Sequence, residues 1–470
     1  MPESTQILVI GGGPAGSTAA GLLAKQGFKV VLLEKERFPR YHIGESILPS
    51  CRPIFELLGV WDKVAAHGFQ PKGGAYFFWG PDEWEVLFSG LGDTNAWQVV
   101  RSEFDQILLD HARTLGVRVV EEATVRELEF ADGRPVAARW SPTGNQAQVD
   151  RITFDFLVDA SGRGGVMSTR YLKSRQFHGV FRNVAAWSYW TGAKKLTKAA
   201  EGAIAVCSTP DGWFWFIPLH DGTVSVGLVT GRERFNERRT ELGGVEEVYL
   251  AAMQECQPVL DLLESATKVA DMKVEQDYSY VSEQFAGPGY VMCGDAACFL
   301  DPLLSTGVHL ATYSAMLASA AIGSALRGEV EEEEALSFFG TVYRRAYERL
   351  LVLVSVFYDS YRGKDFHFYN AQRLSGQERD GLNLQVAFDR IVTGIEDLHD
   401  AQQVYGAIQA HLRGAESGDP NPLANLNKVH EQRQSPMSPG NAVAGLYLVM
   451  RPQLGLSRVS EPVTDPSSRS

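Results

Sequence analysis

A chain of 470 residues with 57 acidic against 44 basic side chains, a net charge of -13, has room for two or three domains. It offers no broad basic face for nucleic acid or anionic lipid. Its five cysteines, Cys51, Cys207, Cys256, Cys293 and Cys298, show neither CxxC spacing nor a neighbouring histidine cluster, so a reduced compartment and no structural metal are expected.

The first stretch, Ile7 to Lys35, organises the rest. The apolar run Ile7 to Ile10 reads as a buried parallel strand and passes directly into Gly11, Gly13 and Gly16 in GxGxxG spacing. Gly11 permits a tight turn, Gly13 a close backbone approach to a pyrophosphate, and Gly16 close packing of the following helix, Pro14 to Gln26, on the sheet. The helix N-terminus favours the anion. A second apolar strand, Val30 to Leu33, ends in Glu34, an acid suited to the two hydroxyls of an adenosine ribose and unsuited to a 2′-phosphate.

Next come the polar loop RFPRYHIGESILPS, with Arg40, His42, Glu45 and Ser46 as candidates for ligand contact, and a helix from Arg52 to His67. GGAYFFWG, EWEVLF and AWQVV, between Lys72 and Val100, read as short strands of a second, antiparallel sheet. A helix from Ser102 to Leu115 and strands Val117 to Val120 and Phe154 to Ala160, the last ending in DASGR, return to the α/β pattern. VAAWSYW, DGWFWFIPL and TVSVGLV extend the second sheet, and a helix from Gly244 to Ser265 follows. The strand Tyr290 to Cys293 leads into Asp295, placed to hold a ribityl or pyrophosphate group, and then into a long helix beginning near Thr306. That helix, Val308 to Leu326, carries His309 and many small residues, which suits burial on a sheet rather than a membrane span. With no signal sequence before the first strand, a soluble, cytoplasmic protein is expected.

The run Glu329 to Glu334 reads as the solvated first turn of a helix reaching about Tyr361. Residues 381–412 look helical, whereas 416–443 and 459–470 are polar and rich in Pro and Ser. The fold class expected is α/β. A discontinuous nucleotide domain spans 1–70, 101–170 and 270–330, an antiparallel sheet domain 71–100 and 171–269, and a C-terminal helical region 331–470.

Taken together, GGGPAG with Glu34, DASGR and GDAACFLDP resemble the FAD-binding signatures of the glutathione-reductase-type flavoprotein monooxygenases, over roughly residues 5 to 330. Two sharper stretches resemble the flavin-dependent halogenases: WFWFIP, Trp213 to Pro218, matches their WxWxIP motif, and Lys72 in PKGG matches their active-site lysine. The resemblance implies that reduced FAD and O2 convert chloride or bromide to a hypohalous acid, which Lys72 directs onto an arene. It implies a cofactor-contacting set of Gly11, Gly13, Pro14, Ala15, Gly16, Glu34, Lys35, Arg40, His42, Ser46, Arg101, Val125, Asp295, Pro302, Gly307 and Val308. The halide would lie at Thr306 and Gly307, and Trp213 and Trp215 would wall flavin from substrate.

Each of these has a plainer role: Lys72 on the surface, the alternating tryptophans as packing for one strand face, Thr306 as a helix cap. Tryptophan halogenases place a glutamate just before their Ser-Thr-Gly, where this chain has Leu304. Halogenases of phenols and pyrroles lack it, including those acting on carrier-protein-tethered substrates. An electron-rich phenol or pyrrole is therefore expected, with a separate flavin reductase as partner. The alternatives are an FAD-dependent aromatic hydroxylase and a non-enzymatic escort scaffold.

Overall fold

The computed structural model describes residues 3–80, 82–88, 96–145, 147–359 and 436–459. Ser4–Ile10 is central to an eight-stranded sheet ordered Ala286–Gly287, Tyr290–Met292, Asp150–Asp159, Ser4–Ile10, Val30–Leu33, Arg118–Val120; the hairpin Ala123–Ala131/Arg134–Pro142 joins at Asp150–Asp159. Ile7, Leu8 and Val9 are wholly buried because both sheet faces are covered, as a run without polar alternation requires. The parallel register aligns Ile10 with both Leu33 and Asp159, and Asp159 with Met292. Four strands thus present their carboxyl ends along one edge, where such sheets bind ligands.

The helix Pro14–Lys25, with proline in its first turn, is buried from Pro14 to Leu23. It packs against Gly307–Leu326, buried from Val308 to Ser324. Small residues let the backbones approach: Ser319 Oγ donates to the Ala19 carbonyl at 3.4 Å, and Gln26 Nε2 to the Ser319 carbonyl at 3.1 Å. No described helix is long and apolar enough to cross a membrane.

The second sheet has nine strands: Cys298–Phe299, Lys273–Ser282, Arg175–Thr191, Thr223–Gly231, Gly212–Pro218, Ile204–Thr209, Gly74–Trp79 and Asp82–Leu87 in order, with Thr267–Lys268 at the side. All pairs are antiparallel except Ile204–Thr209 with Gly74–Trp79. One face joins the main core and the other a separate core with the helices Val245–Gln254 and Gln257–Leu263.

Several expectations need correction. The helix expected over Arg52–His67 is two, Arg52–Leu58 and Trp61–Ala66, because Gly59 ends the first in the left-handed region at φ +88°. The helix expected over Gly244–Ser265 is likewise split, and Pro258 in the first turn of the second piece starts it afresh. The helix Arg232–Leu242 escaped the sequence reading, since Phe235 is its only buried residue and no apolar stripe marks it. AWQVV yields only Trp97–Gln98, which pairs with Gln70–Pro71 outside the large sheet.

The acidic run is also more than a solvated turn. Glu332 accepts from Arg134 at 2.7 Å and from the Gly289 amide at 2.8 Å, and Glu334 pairs with Arg458. Beyond the helix Glu332–Asp359, the expected helical region contains an antiparallel hairpin, Leu446–Val449/Gly455–Arg458, tied to the Gly307–Leu326 helix where the Leu456 amide donates to Ser324 Oγ at 2.8 Å. The expected helical stretch 381–412 lies outside the described residues.

Candidate active site

At the carboxyl edge of the parallel strands lies a cavity of about 540 Å³, lined by Gly11, Gly13, Pro14, Ala15 and Glu34 at one end and Trp213, Trp215 and Gly307 at the other. Gly11 adopts φ +102°, and a Cβ there would stand 2.2 Å from the Ala160 carbonyl oxygen. Gly16 does not line the cavity; a Cβ on it would meet the Gly11 carbonyl oxygen at 1.9 Å, so its role is helix-on-turn packing. Glu34 is buried, with Oε2 accepting from the Gly12 amide at 2.6 Å and Oε1 from the Glu36 amide at 2.8 Å. These bonds aim the carboxylate at the cavity while leaving a lone pair on each oxygen. Lys35 and Val125 line the same end.

Arg40, His42 and Ser46 come from the polar loop and all line the cavity. Arg101 does so as well, but its guanidinium is largely committed: Nε and Nη2 donate to Asp105 at 2.8 and 3.0 Å, and Nη1 to the carbonyls of Ile43 and Gly44 at 2.8 and 3.1 Å. It shapes the loop. Burial alone would raise the Asp105 carboxyl, but Arg101 and Arg40, the latter 3.0 Å away, outweigh it and hold it below the ordinary value. His42 is open to the cavity, yet the surrounding protein mass and the Arg101 charge push its imidazolium down to about 4.

Glu45, next in this loop, is buried at 3 % exposure and borders the cavity. Tyr189 Oη donates to Glu45 Oε1 at 2.7 Å, Tyr41 Oη lies 2.9 Å from Tyr189 Oη, and Trp187 Nε1 donates to Tyr41 Oη at 2.7 Å. Tyr41 is 47 % exposed, so the chain of hydroxyls runs from the surface to a buried carboxyl. Burial pushes that carboxyl up to about 7, against hydrogen bonding from Ser225 and Tyr189.

The strand Gly212–Pro218 supplies the wall. Its alternation sends Trp213, Trp215 and Ile217 to the cavity and Phe214 and Phe216 to the second core, which explains a run apolar on both faces. Trp215 stands opposite Gly227, where a Cβ would lie 2.1 Å from the indole. Trp187, on the strand at the other side of Gly227, leans over it with its ring 6.1 Å from Trp215. Trp215 Nε1 donates to Ser225 Oγ at 3.1 Å.

A rigid turn forms the remaining edge. Asp301 caps Pro302–Leu304 by accepting from the Leu303 amide at 3.0 Å, and Asn183 Nδ2 donates to its other oxygen at 2.8 Å. Ser305 then takes φ +56°, and the helix opens at Gly307 with no acidic side chain in its first turn. Ser305, Pro302, Gly307 and Val308 line the cavity; Thr306 does not, but it is buried and its Oγ1 has no hydrogen-bond partner among the described residues. Leu304 is buried. Asp295 lines the cavity, its carboxyl raised by burial and opposed by Arg163, Arg101 and Arg175.

Lys72 is neither a surface lysine nor part of the cavity lining. It is 2 % exposed, its Nζ donates to the Ile47 carbonyl at 3.4 Å, next to cavity-lining Ser46, and sits 5.3 Å from the Phe88 ring centre. Burial pushes its ammonium down to about 7, only partly offset by Cys51. Among lining residues, the sequence reading did not single out Trp187, Ala185 or Arg170; position in a strand-rich stretch was the only signal for the first two.

The cavity suits a dinucleotide: a glycine turn closed to side chains, a helix N-terminus, a caged acid at one end and aromatic walls at the other. The family model described as tryptophan halogenase matches residues 6–95 and 92–405. The tryptophan 2-halogenase of Chondromyces crocatus is 46% identical over 422 residues, 88% of this chain and 80% of that protein. A flavin-dependent halogenase of Armillaria mellea is 44% identical over 386 residues, 78% and 76% of the two chains. Among solved structures, the myxobacterial chondrochloren halogenase, an FAD-dependent enzyme, superposes with a TM-score of 0.73 at 36% identity over 86% of this chain and 93% of that one. A glycine turn, a caged glutamate and a tryptophan-walled cavity thus occur here in a chain that belongs to the tryptophan-halogenase family, the flavin-dependent halogenases, with FAD as its cofactor.

Proposed function

We propose that this flavin-dependent halogenase acts on an electron-rich phenol or pyrrole, with Lys72 as the amine that receives the oxidised halogen and passes it to the ring. The observation that supports this most directly is Lys72 itself, a buried amine whose charge is given up near neutral pH beside the loop that lines the cavity. A neutral amine has the lone pair that attack on a hypohalous acid requires; an ordinary ammonium has none.

Bound in reduced form, FAD supplies two of the four electrons that O2 takes up, the halide supplying the other two. Gly11, Gly13, Pro14 and Ala15 hold its pyrophosphate at the helix N-terminus, Glu34 its ribose, and Asp295, Arg40, His42, Ser46 and Val125 the remainder of its length. Thr306 Oγ1 and the Gly307 amide hold the halide, as an unpartnered buried hydroxyl at a helix start suits an anion. Trp213 and Trp215 exclude water. Glu45 holds a proton at its carboxyl and exchanges it through Tyr189 and Tyr41. A separate flavin reductase delivers reduced FAD, and the hydroxylase and escort readings have no support from the family.

Hypohalous acid is a modest electrophile, so the ring must donate electron density. Leu304, where tryptophan halogenases carry glutamate, leaves no carboxylate to assist the six-membered ring of an indole. One relative favours a second reading, since the Chondromyces crocatus protein is named for position 2 of tryptophan, a carbon of the five-membered ring. Product mass spectrometry with reductase, FAD, NADH and bromide over phenols, pyrroles and free tryptophan decides between them. Bromine isotope spacing on a phenol or pyrrole is expected; turnover of tryptophan alone would overturn the substrate class. Presenting one phenol free and as a carrier-protein thioester settles the mode of delivery.

A further inference from the structure

Away from the cavity, three metal-ligating side chains from distant parts of the chain converge. His67 follows the helix Trp61–Ala66, Glu103 lies in the first turn of Arg101–Thr114, and His220 sits in the turn between Gly212–Pro218 and Thr223–Gly231. His67 Nε2 is 2.7 Å and His220 Nε2 3.2 Å from the same oxygen, Glu103 Oε2, and the three atoms all lie within 4.8 Å of one another. Two imidazole nitrogens and one carboxylate oxygen, all of them metal-ligand atoms, thus face a common point.

The rings are held in this aim by Phe69, which is buried. His67 packs on it with centroids 4.3 Å apart and His220 meets it edge-on at 5.3 Å. Donors placed tetrahedrally on a zinc ion, at about 2.0 to 2.2 Å, stand roughly 3.4 Å from each other. The two nitrogen-to-oxygen separations are shorter than that value and the nitrogens are no more than 4.8 Å apart, so small side-chain rotations that open the cluster would admit the ion. Side-chain exposures of 32%, 40% and 21% for His67, Glu103 and His220 leave it reachable from solvent.

We propose that His67, Glu103 and His220 bind a divalent metal ion of the zinc class through the two Nε2 atoms and Oε2, with water in the fourth position. Two imidazoles and a carboxylate suit zinc and its neighbours and disfavour magnesium or calcium, which take oxygen sets. The ion staples three segments. It joins the turn leaving the tryptophan strand to the helix whose first residue, Arg101, holds the cavity loop, so its effect is on rigidity rather than on the halogenation chemistry.

The test is calorimetric titration of zinc chloride into metal-free full-length protein, paired with thermal melting. One ion per chain and a raised melting temperature are expected, the stabilisation growing with zinc concentration as mass action requires. His67→Gln and His220→Gln should each weaken binding by more than about tenfold, the loss that an outer-shell change alone can produce. Glu103→Gln, which keeps the shape of the site, should do the same, so a misfolded histidine variant does not leave the question open. Absence of one-to-one binding, or equal binding by the His67→Gln/His220→Gln double variant and the parent, refutes the site.

Discussion

The two ends of the cavity are built on opposite principles. At the nucleotide end, Gly11, Gly13, Pro14 and Glu34 lie within 25 residues, and the Glu34 carboxylate is steadied by amides of the same unit. At the other end, Glu45 and Trp215 line the cavity while Lys72 and Thr306 lie behind the lining residues; the four come from separate elements, and the two titratable groups are buried so that burial moves both toward 7. A binding end can use a charge held ready by local backbone. A reacting end needs groups that change charge near neutral pH, which requires burial that no local segment can supply.

Separating the ends experimentally should give effects of decreasing size. Lys72→Ala should remove product altogether while FAD affinity and reoxidation of reduced flavin stay near the parent values; Lys72→Arg should not rescue, since a guanidinium remains protonated. Halogenated product from the alanine variant at the parent rate would sink the assignment. The pH profile should be bell-shaped near 7, because neutral Lys72 accumulates as pH rises past about 7 whereas protonated Glu45 is lost above about 7. Glu45→Gln should slow turnover by about a hundredfold and flatten the alkaline limb. An unchanged alkaline limb would remove Glu45 from the proton path.

At the nucleotide end, Glu34→Gln should weaken FAD by about 1 to 3 kcal/mol through loss of charge-assisted bonds, leaving the rate at saturating FAD close to normal. Isothermal titration with identical affinities would mean that the ribose lies elsewhere. The smallest effect is expected from Thr306→Val, a rise of a few-fold in the halide concentration for half-maximal rate with no change in FAD affinity, checked by bromide titration; an unchanged bromide dependence removes the hydroxyl from the halide site.

Reading the chain alone located the strand at Ile7 to Ile10, which extends back to Ser4 in the fold, the glycine turn, Glu34 and the alternation of Trp213 and Trp215, because each is a short-range pattern with its own periodicity or turn chemistry. It erred where local signals were weak: the break at Gly59 inside an apolar run, and the helix Arg232–Leu242 with one buried side chain. Lys72 was singled out by resemblance, but its burial was not legible, and neither was the path from Tyr41 through Tyr189 to Glu45. The meeting of residues 67, 103 and 220 was not legible either, since cysteine spacing says nothing of side chains contributed singly from distant positions.

The sequence by itself determined the glycine turn, the acid that follows it and which face of the tryptophan strand carries indoles, since these depend on φ, on strand period and on residues close in the chain. Tertiary structure alone decided that Gly227 makes room for Trp215, that Glu45 and Lys72 lose water enough to titrate near 7, and that two histidines meet one glutamate. Those outcomes depend on which surfaces are removed from solvent together, and that is set only when distant segments pack.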